Sequence, residues 1–167
     1  IGPINSLLGM LISGSIFLTA WVYFSDISLV WPLAHMWLLL LSGVSTLFAT
    51  LYVYKAITMG PISVAAPIVA SYPVLIVIMS TFNGVLPTTL QLLAIAIVMT
   101  GVFLVARAET VADKKEQSKK TFPPVVKIAL IASILLSIAI SSGQQAAIHF
   151  GELQATWIGR LISLLVV

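Results

Sequence analysis

Five stretches of the sequence run for about 20 residues with almost no charge, and a sixth starts near Leu153 and is still apolar at Val167. This feature limits the possible folds more than any other. A helix of that length crosses the hydrocarbon core of a bilayer. Charged residues make up 8% of the chain, against roughly 25% in soluble domains, which is too few to cover a globule in water. A barrel would need shorter strands that alternate apolar and polar residues. We therefore predict an all-α, polytopic transmembrane helical bundle with spans at about 4–24, 33–57, 62–82, 88–106, 125–148 and from 153 onward.

Turn-forming residues separate the first four apolar segments. Ser25–Asp26 follows the first segment, Gly60–Pro61 the second and Asn83–Pro87 the third. Proline near the start of a helix costs no hydrogen bond, so Pro32 and Pro61 suit helix openings. These breaks favour separate spans over fewer and longer helices.

One polar stretch interrupts the apolar pattern and carries most of the positive charge. Five of the eight Lys and Arg residues lie in 107–124. Short loops rich in Lys and Arg stay on the cytoplasmic side of a membrane. We predict that 107–124 is a cytoplasmic linker that contacts anionic lipid, with Asp26, His149 and Glu152 on the opposite side. A contact with nucleic acid is disfavoured because the linker lies between two membrane spans.

A short sequence echo links the two ends of the chain. Gly9–Ser13 reads GMLIS and Gly159–Ser163 reads GRLIS, so the two copies share G-x-L-I-S at an offset of 150 residues. A match this short can also arise by chance in an apolar chain. If the echo is a repeat, five predicted crossings separate the copies, and an odd number inverts the second copy. Inverted repeats are typical of transporters whose solute site lies near the membrane midplane.

The run from Leu51 to Arg107 carries a set of motifs that resembles a known family. Residues 52–57 read YVYKAI, and residues 60–74 form a stretch of small residues and prolines ending in Ser71-Tyr72-Pro73-Val74. A later helix contains Gly101. This run resembles the EamA-type transporters of the drug/metabolite transporter superfamily. One departure is the turn 83–87, which reads NGVLP where family members usually carry a Gly-Glu-Arg-type turn.

The resemblance implies ten helices arranged as two inverted five-helix repeats. In this sequence, 1–106 would supply helices two to five of the first repeat, 107–124 the linker, and 125–167 the first two helices of the second repeat. The chain would then be a piece of a longer protein that lacks the first helix and the last three. Family members commonly have cytoplasmic termini, which would place the linker outside, whereas its basic charge argues for the inside. We follow the charge in this chain.

The function implied by this resemblance is secondary transport. We expect an integral, multi-pass protein of the bacterial plasma (inner) membrane that moves small metabolites or drug-like solutes by alternating access. The alternative is a non-transporting membrane scaffold or a channel subunit. An enzyme is disfavoured because no nucleophile motif or phosphate-binding loop is present. A small-molecule solute and the lipid bilayer are the expected partners, no cofactor is expected, and a homodimer is left open.

Polar residues within the last two spans are candidate solute contacts. Ionisable side chains are costly in lipid and tend to face cavities or partners. Arg160 occupies a position where many family members carry arginine, and its guanidinium could hold a carboxylate or phosphate. It could instead snorkel, bind lipid or pair with Glu152. Gln144 and Gln145 could bind polar solutes or form hydrogen bonds between helices.

The third span contains the candidate hinge. Pro67 and Pro73 each remove a backbone donor and free a carbonyl one turn earlier, so the helix could bend during transport or hold a static kink. Ser71 and Tyr72 beside the second proline, and Tyr52 at the cytoplasmic end of the second span, are candidate cavity-lining residues.

The remaining polar and aromatic residues favour no further site. His35 and His149 are isolated in the sequence and the chain has no cysteine, which disfavours a metal site. The acids Asp26 and Glu152 lie at span ends, so we expect no proton coupling through these helices. Trp21, Tyr23, Trp31 and Trp37 fit an interfacial aromatic belt.

Overall fold

The computed structural model describes residues 3–25, 29–82, 84–112 and 122–167, and within these residues all regular structure is helical. This confirms the predicted all-α class. Asp26, Asn83 and the central part of the basic linker, 113–121, lie outside the described residues. The helices are α1 Pro3–Phe24, a 3₁₀ turn Leu33–His35, α2 Met36–Met59, α3 Ile62–Val69, α4 Tyr72–Phe82, α5 Thr89–Ala112, α6 Phe122–Phe150 and α7 Glu152–Val166.

Four of the described helical segments are long and apolar enough to cross a membrane. They span Ile4–Phe24, Leu33–Met59, Val64–Phe82 and Pro124–Phe150, and a shorter apolar helix covers Thr89–Leu104. Many large apolar side chains on these segments are exposed; Leu90, for example, is 77% exposed. Such exposure is expected where lipid rather than water surrounds the chain.

The third predicted span differs from a single helix. It is divided into α3 and α4, with Ala70 and Ser71 between them. Pro73 has no N–H to offer the Val69 carbonyl, so the α-helical pattern cannot continue through this point. The Ala70 N–H still donates to the Ala66 carbonyl at 2.8 Å, but the Ser71 N–H turns to the Ile68 carbonyl at 3.2 Å. Of the two prolines, Pro73 thus lies at the break, whereas Pro67 lies inside α3.

The helices group into two compact units. Unit 1 contains Ile1–Leu51 and Ile138–Val167, and unit 2 contains Tyr52–Ser137. Unit 1 therefore holds α1, the first part of α2, the second part of α6, and α7. Unit 2 holds the end of α2, all of α3, α4 and α5, and the start of α6. The repeat boundaries near 106 and 124 stay a prediction.

The core of unit 1 is formed by α2, α6 and α7. Its buried apolar residues are Leu38, Leu39, Ala146, Phe150 and Ala155. A glycine of α2 lies directly against the backbone of α7 in this unit. A Cβ at Gly43 would lie 2.7 Å from the Gly159 carbonyl oxygen and 2.9 Å from the Ile162 side chain. The Ser163 hydroxyl donates to the Gly43 carbonyl at 2.7 Å, so glycine lets α2 and α7 pack backbone to backbone.

The core of unit 2 is built from smaller side chains. Ala56, Ala65, Val125 and Ala129 are fully buried and bring the end of α2, α3 and the start of α6 together. Helix α3 also packs against α5. In lipid, apolar surface alone does not drive helices together, so association relies on the close packing that small residues allow.

Candidate functional site

Helices α1 and α7 cross in opposite directions within unit 1. The Trp157 indole N–H donates to the Thr19 hydroxyl at 2.9 Å. Three residues further along α7, Arg160 Nη1 lies 3.5 Å from the Met10 carbonyl oxygen, earlier in α1. As the residue number rises along α7, the number of its partner residue on α1 falls, so the two helices are antiparallel.

Arg160 is the predicted site residue with the clearest surroundings. It lies eight residues after Glu152, about 12 Å along the helix axis, in the middle of α7. Its side chain is half-buried and points to α1 rather than to Glu152. The guanidinium lies against Gly14, in space that a side chain at position 14 would otherwise fill.

Gln144 and Gln145 lie in the same unit but are exposed on α6. Neither amide has a hydrogen-bond partner among the residues described. The neighbouring serine, Ser142, is buried and donates to the Ile138 carbonyl of its own helix at 2.7 Å. Both glutamine side chains are therefore accessible from outside unit 1, and the structure does not bring them together with Arg160.

Gln154 is a buried polar residue that the sequence reasoning missed. It is 2% exposed, and its side-chain amide bonds both backbone groups of Val30. The Val30 N–H donates to Gln154 Oε1 at 3.1 Å, and Gln154 Nε2 donates to the Val30 carbonyl at 2.7 Å. This pair of bonds ties the segment before α2 to the first turn of α7. A glutamine in the first turn of an apolar helix was the available signal, but its partner is a backbone 124 residues away.

The two histidines are paired rather than isolated, which corrects the sequence-based description. The rings of His35 and His149 stack with centroids 3.7 Å apart and planes 16° apart. The 3₁₀ turn before α2 and the last turn of α6 bring them together in unit 1. His35 Nδ1 is buried without a hydrogen-bond partner among the described residues. In the described part of the chain, no three His, Cys, Asp or Glu side chains are grouped to hold a metal ion.

The helix break in unit 2 is surrounded by serines. Ser71 Oγ donates to the Ile68 carbonyl at 2.6 Å and lies 3.4 Å from Ser133 Oγ. Ser137 Oγ lies 3.1 Å from the Tyr72 carbonyl and 2.8 Å from the Ser133 carbonyl, and it can donate to either. Two predicted residues, Ser71 and Tyr72, are thus brought together with Ser133 and Ser137, which the sequence reasoning did not select. The spacing of four residues between these two serines places them on one face of α6.

The other predicted residues of unit 2 have fewer contacts. Tyr52 is half-buried near the end of α2, and no polar partner for it occurs among the residues described. Pro73 borders an apolar cavity of about 150 Å³ between α4 and α5. The other lining residues of that cavity are Ala94, Ile95, Val98 and Met99. Such a wall offers no group that could orient a polar solute.

The apolar helices long enough to cross a bilayer define the chain as a polytopic integral membrane protein. The model of the EamA-like transporter family matches residues 1–107. The chain belongs to the EamA-like transporter family, a group of membrane transporters in the drug/metabolite transporter superfamily. No curated protein and no solved structure matches the chain significantly. Family membership confirms the resemblance and places a small-molecule solute and a lipid bilayer among the chain's partners.

Proposed function

We propose that the chain forms part of a secondary transporter that moves small metabolites or drug-like solutes by alternating access between two inverted repeats. The antiparallel crossing of α1 and α7, in a chain of a transporter family, carries this proposal. Membership of the family indicates transport, and the antiparallel crossing supports an inverted orientation of the second repeat relative to the first.

The contact between Met10 and Arg160 links equivalent positions of the sequence echo. These residues occupy the variable position of G-x-L-I-S, and they are 150 residues apart. When two inverted repeats are related by a two-fold axis in the membrane plane, residues near the axis contact their own equivalents. An antiparallel crossing at the echo is the arrangement expected of such a pair.

The candidate solute contacts lie in both units. Arg160, Gln144 and Gln145 belong to unit 1, and Ser71, Tyr72 and Tyr52 belong to unit 2. A division of the helix at Ala70–Ser71 supports Pro73 as a hinge, with Pro67 six residues before it. The proposal includes a cytoplasmic, lipid-contacting linker at 107–124 in the bacterial inner membrane, and it allows a homodimer.

Counterflow in proteoliposomes containing the full-length protein tests alternating access. A thermal-shift screen of metabolites first selects a solute, and vesicles are then loaded with it unlabelled. An alternating-access carrier accumulates labelled solute transiently under these conditions. Flux that is linear in concentration and shows no counterflow would identify a channel, and the absence of flux would identify a scaffold.

Ion coupling is tested in the same vesicles by applying a pH gradient. We expect uptake to be unaffected because Glu152, the described acid in unit 1, lies at the exposed start of α7. Acceleration by the gradient that is lost in Glu152→Gln would overturn this expectation.

Topology is directly testable because the chain has no cysteine. Single cysteines at Lys119 and Glu152 should react differently with a membrane-impermeant maleimide added to right-side-out vesicles. We expect labelling at position 152 and protection at position 119. The reverse pattern would place the linker outside.

A further inference from the structure

The guanidinium of Arg160 has more hydrogen-bonding capacity than the structure satisfies. Arginine carries five N–H donors in a planar fork. Among the described residues, its one polar contact is the Met10 carbonyl at 3.5 Å, at the outer limit of a hydrogen bond. No described carboxylate forms an ion pair with it. A half-buried cation with so few hydrogen bonds is costly in an apolar helix, and an anionic ligand would satisfy it.

Gly14 provides the space in which the guanidinium lies. A Cβ at position 14 would overlap Nη1 and Cζ of Arg160, whereas a Cβ at Gly9, on the same helix, would meet nothing within 4 Å. The absence of a side chain at position 14 therefore determines where the charge sits. Since the overlapping group is the end of a flexible side chain, an alanine at position 14 would displace the guanidinium without disturbing the backbone.

An aromatic residue of α7 that is hydrogen-bonded to α1 lies close to Arg160 in the sequence. Trp157 lies one helical turn before Arg160 on the same face of α7, and its indole N–H is already held by Thr19. A guanidinium is suited to a planar carboxylate, which it can bind through two parallel hydrogen bonds.

We propose that Arg160, seated over Gly14, binds the carboxylate of an anionic solute, and that Gly14 is the positioning residue that holds the guanidinium in the binding geometry. This inference rests on the proposed transport function and specifies its substrate class. A lipid phosphate offers similar chemistry. The free solute is favoured because Arg160 lies in the middle of α7, about 12 Å from its start, and its side chain turns towards α1.

The test compares carboxylates with their amides. Full-length protein in proteoliposomes is assayed for saturable uptake of nicotinate against nicotinamide, glutamate against glutamine, and 4-hydroxybenzoate against its amide. We expect at least one carboxylate to be preferred over its amide. Arg160→Met should raise the KM for that carboxylate about 10- to 100-fold, the value of a charged hydrogen bond, and leave the amide unaffected. Arg160→Lys should restore part of the preference.

Gly14→Ala tests the positioning role against Gly9→Ala as the matched control. We expect Gly14→Ala to raise the KM for the carboxylate about tenfold, because one bond of the fork is lost, with kcat and thermal stability unchanged. Gly9→Ala should leave the KM and kcat unchanged. Equal behaviour of the two alanine variants would overturn the positioning role.

Two further results would overturn the anion site and leave transport itself intact. One is saturable uptake in which no carboxylate of the set is preferred over its amide, or in which the preference is unchanged in Arg160→Met. The other is Arg160-dependent retention of phosphatidylglycerol in native mass spectrometry, together with uptake that falls when this lipid is added to phosphatidylcholine vesicles. Absence of saturable uptake or counterflow for every solute of the metabolite screen would instead contradict the proposed function.

Discussion

The hydrogen bonds of polar side chains lie at different places in the two units. In unit 1, hydroxyl and amide groups on unbroken helices reach the backbone of another helix or of the segment before α2. Ser163 bonds the Gly43 carbonyl, Ser42 bonds the Ala139 carbonyl at 3.1 Å, and Gln154 bonds both backbone groups of Val30. In unit 2, Ser71 and Ser137 instead bond carbonyls beside a break in the helix.

In unit 1 the bonds fix how unbroken helices pack, whereas in unit 2 they lie at a break where the helix can bend. A hydrogen bond between two unbroken helices holds them at one distance and register. A hydroxyl that accompanies a proline break compensates for lost backbone bonds and stabilises a bend. We therefore expect substitutions in unit 1 to reduce stability most, and substitutions at the break to alter transport more than stability.

The largest loss of stability should follow Gly43→Ala. The new Cβ would press on the Gly159 carbonyl oxygen, at 2.7 Å, and on Ile162, so two backbones must separate. We expect the free energy of unfolding in detergent to fall by about 3 kcal/mol, the upper part of the usual range for overpacking. Gly9→Ala is the control, and its open surroundings predict a small gain. Similar stability of the two variants would show that α2 and α7 are not packed closely at Gly43.

The next largest effect should come from Gln154→Ala. This change leaves the Val30 N–H and carbonyl without their side-chain partner, which should cost about 2 kcal/mol for two neutral hydrogen bonds. Thermal unfolding measures the loss. Gln145→Ala serves as the control because that side chain is exposed and should change stability little. If both variants unfold at the same temperature as the unmodified protein, the hydrogen bonds between Gln154 and Val30 contribute nothing to stability.

A smaller effect is expected in unit 2 from Ser137→Ala. Membrane hydrogen bonds of this kind contribute about 0.6 kcal/mol, and the Tyr72 carbonyl would lose its hydroxyl partner. We expect a loss of about that size, measured by unfolding in detergent, together with an altered uptake rate. Ser142→Ala is the matched control, because Ser142 bonds only carbonyls of its own helix. A loss above about 2 kcal/mol would mean that the break is packed as rigidly as unit 1.

The sequence predicted the four segments that are long and apolar enough to cross a membrane, because the rule behind them is local. A run of about 20 apolar residues must be helical in lipid, whatever its neighbours are. The contacts of Gln154 and Ser137 were not predictable in this way, because their partners are backbone atoms 124 and 65 residues away. The stacking of His35 on His149 likewise depends on how two helix ends meet. Arg160 was selected because a charge in an apolar run is visible without any tertiary information.

The position of the helix break was likewise not predictable from the sequence alone. It suggests the substitution Pro73→Ala, for which we expect the smallest effect on stability. Pro67 and Pro73 were equal candidates from the sequence, yet the helix divides directly before Tyr72. An alanine at position 73 supplies the N–H that the Val69 carbonyl lacks, so α3 and α4 can join. Because one hydrogen bond is gained where the surrounding packing fits a bend, we expect the two effects to cancel largely and stability to change by less than about 0.6 kcal/mol.

Two measurements distinguish a hinge from a static kink at Pro73. Spin labels on cysteines at Ile62 and Phe82, both exposed, should move apart in Pro73→Ala towards about 30 Å, the length of a straight helix of 20 residues. If the break is a hinge, the same variant should transport more slowly, whereas Pro67→Ala, inside α3, should lengthen the distance less. A straightened helix with unchanged uptake would show that the bend is static. Alternating access would then have to arise elsewhere in the molecule, and the contrast between a rigid and a hinged unit would not hold.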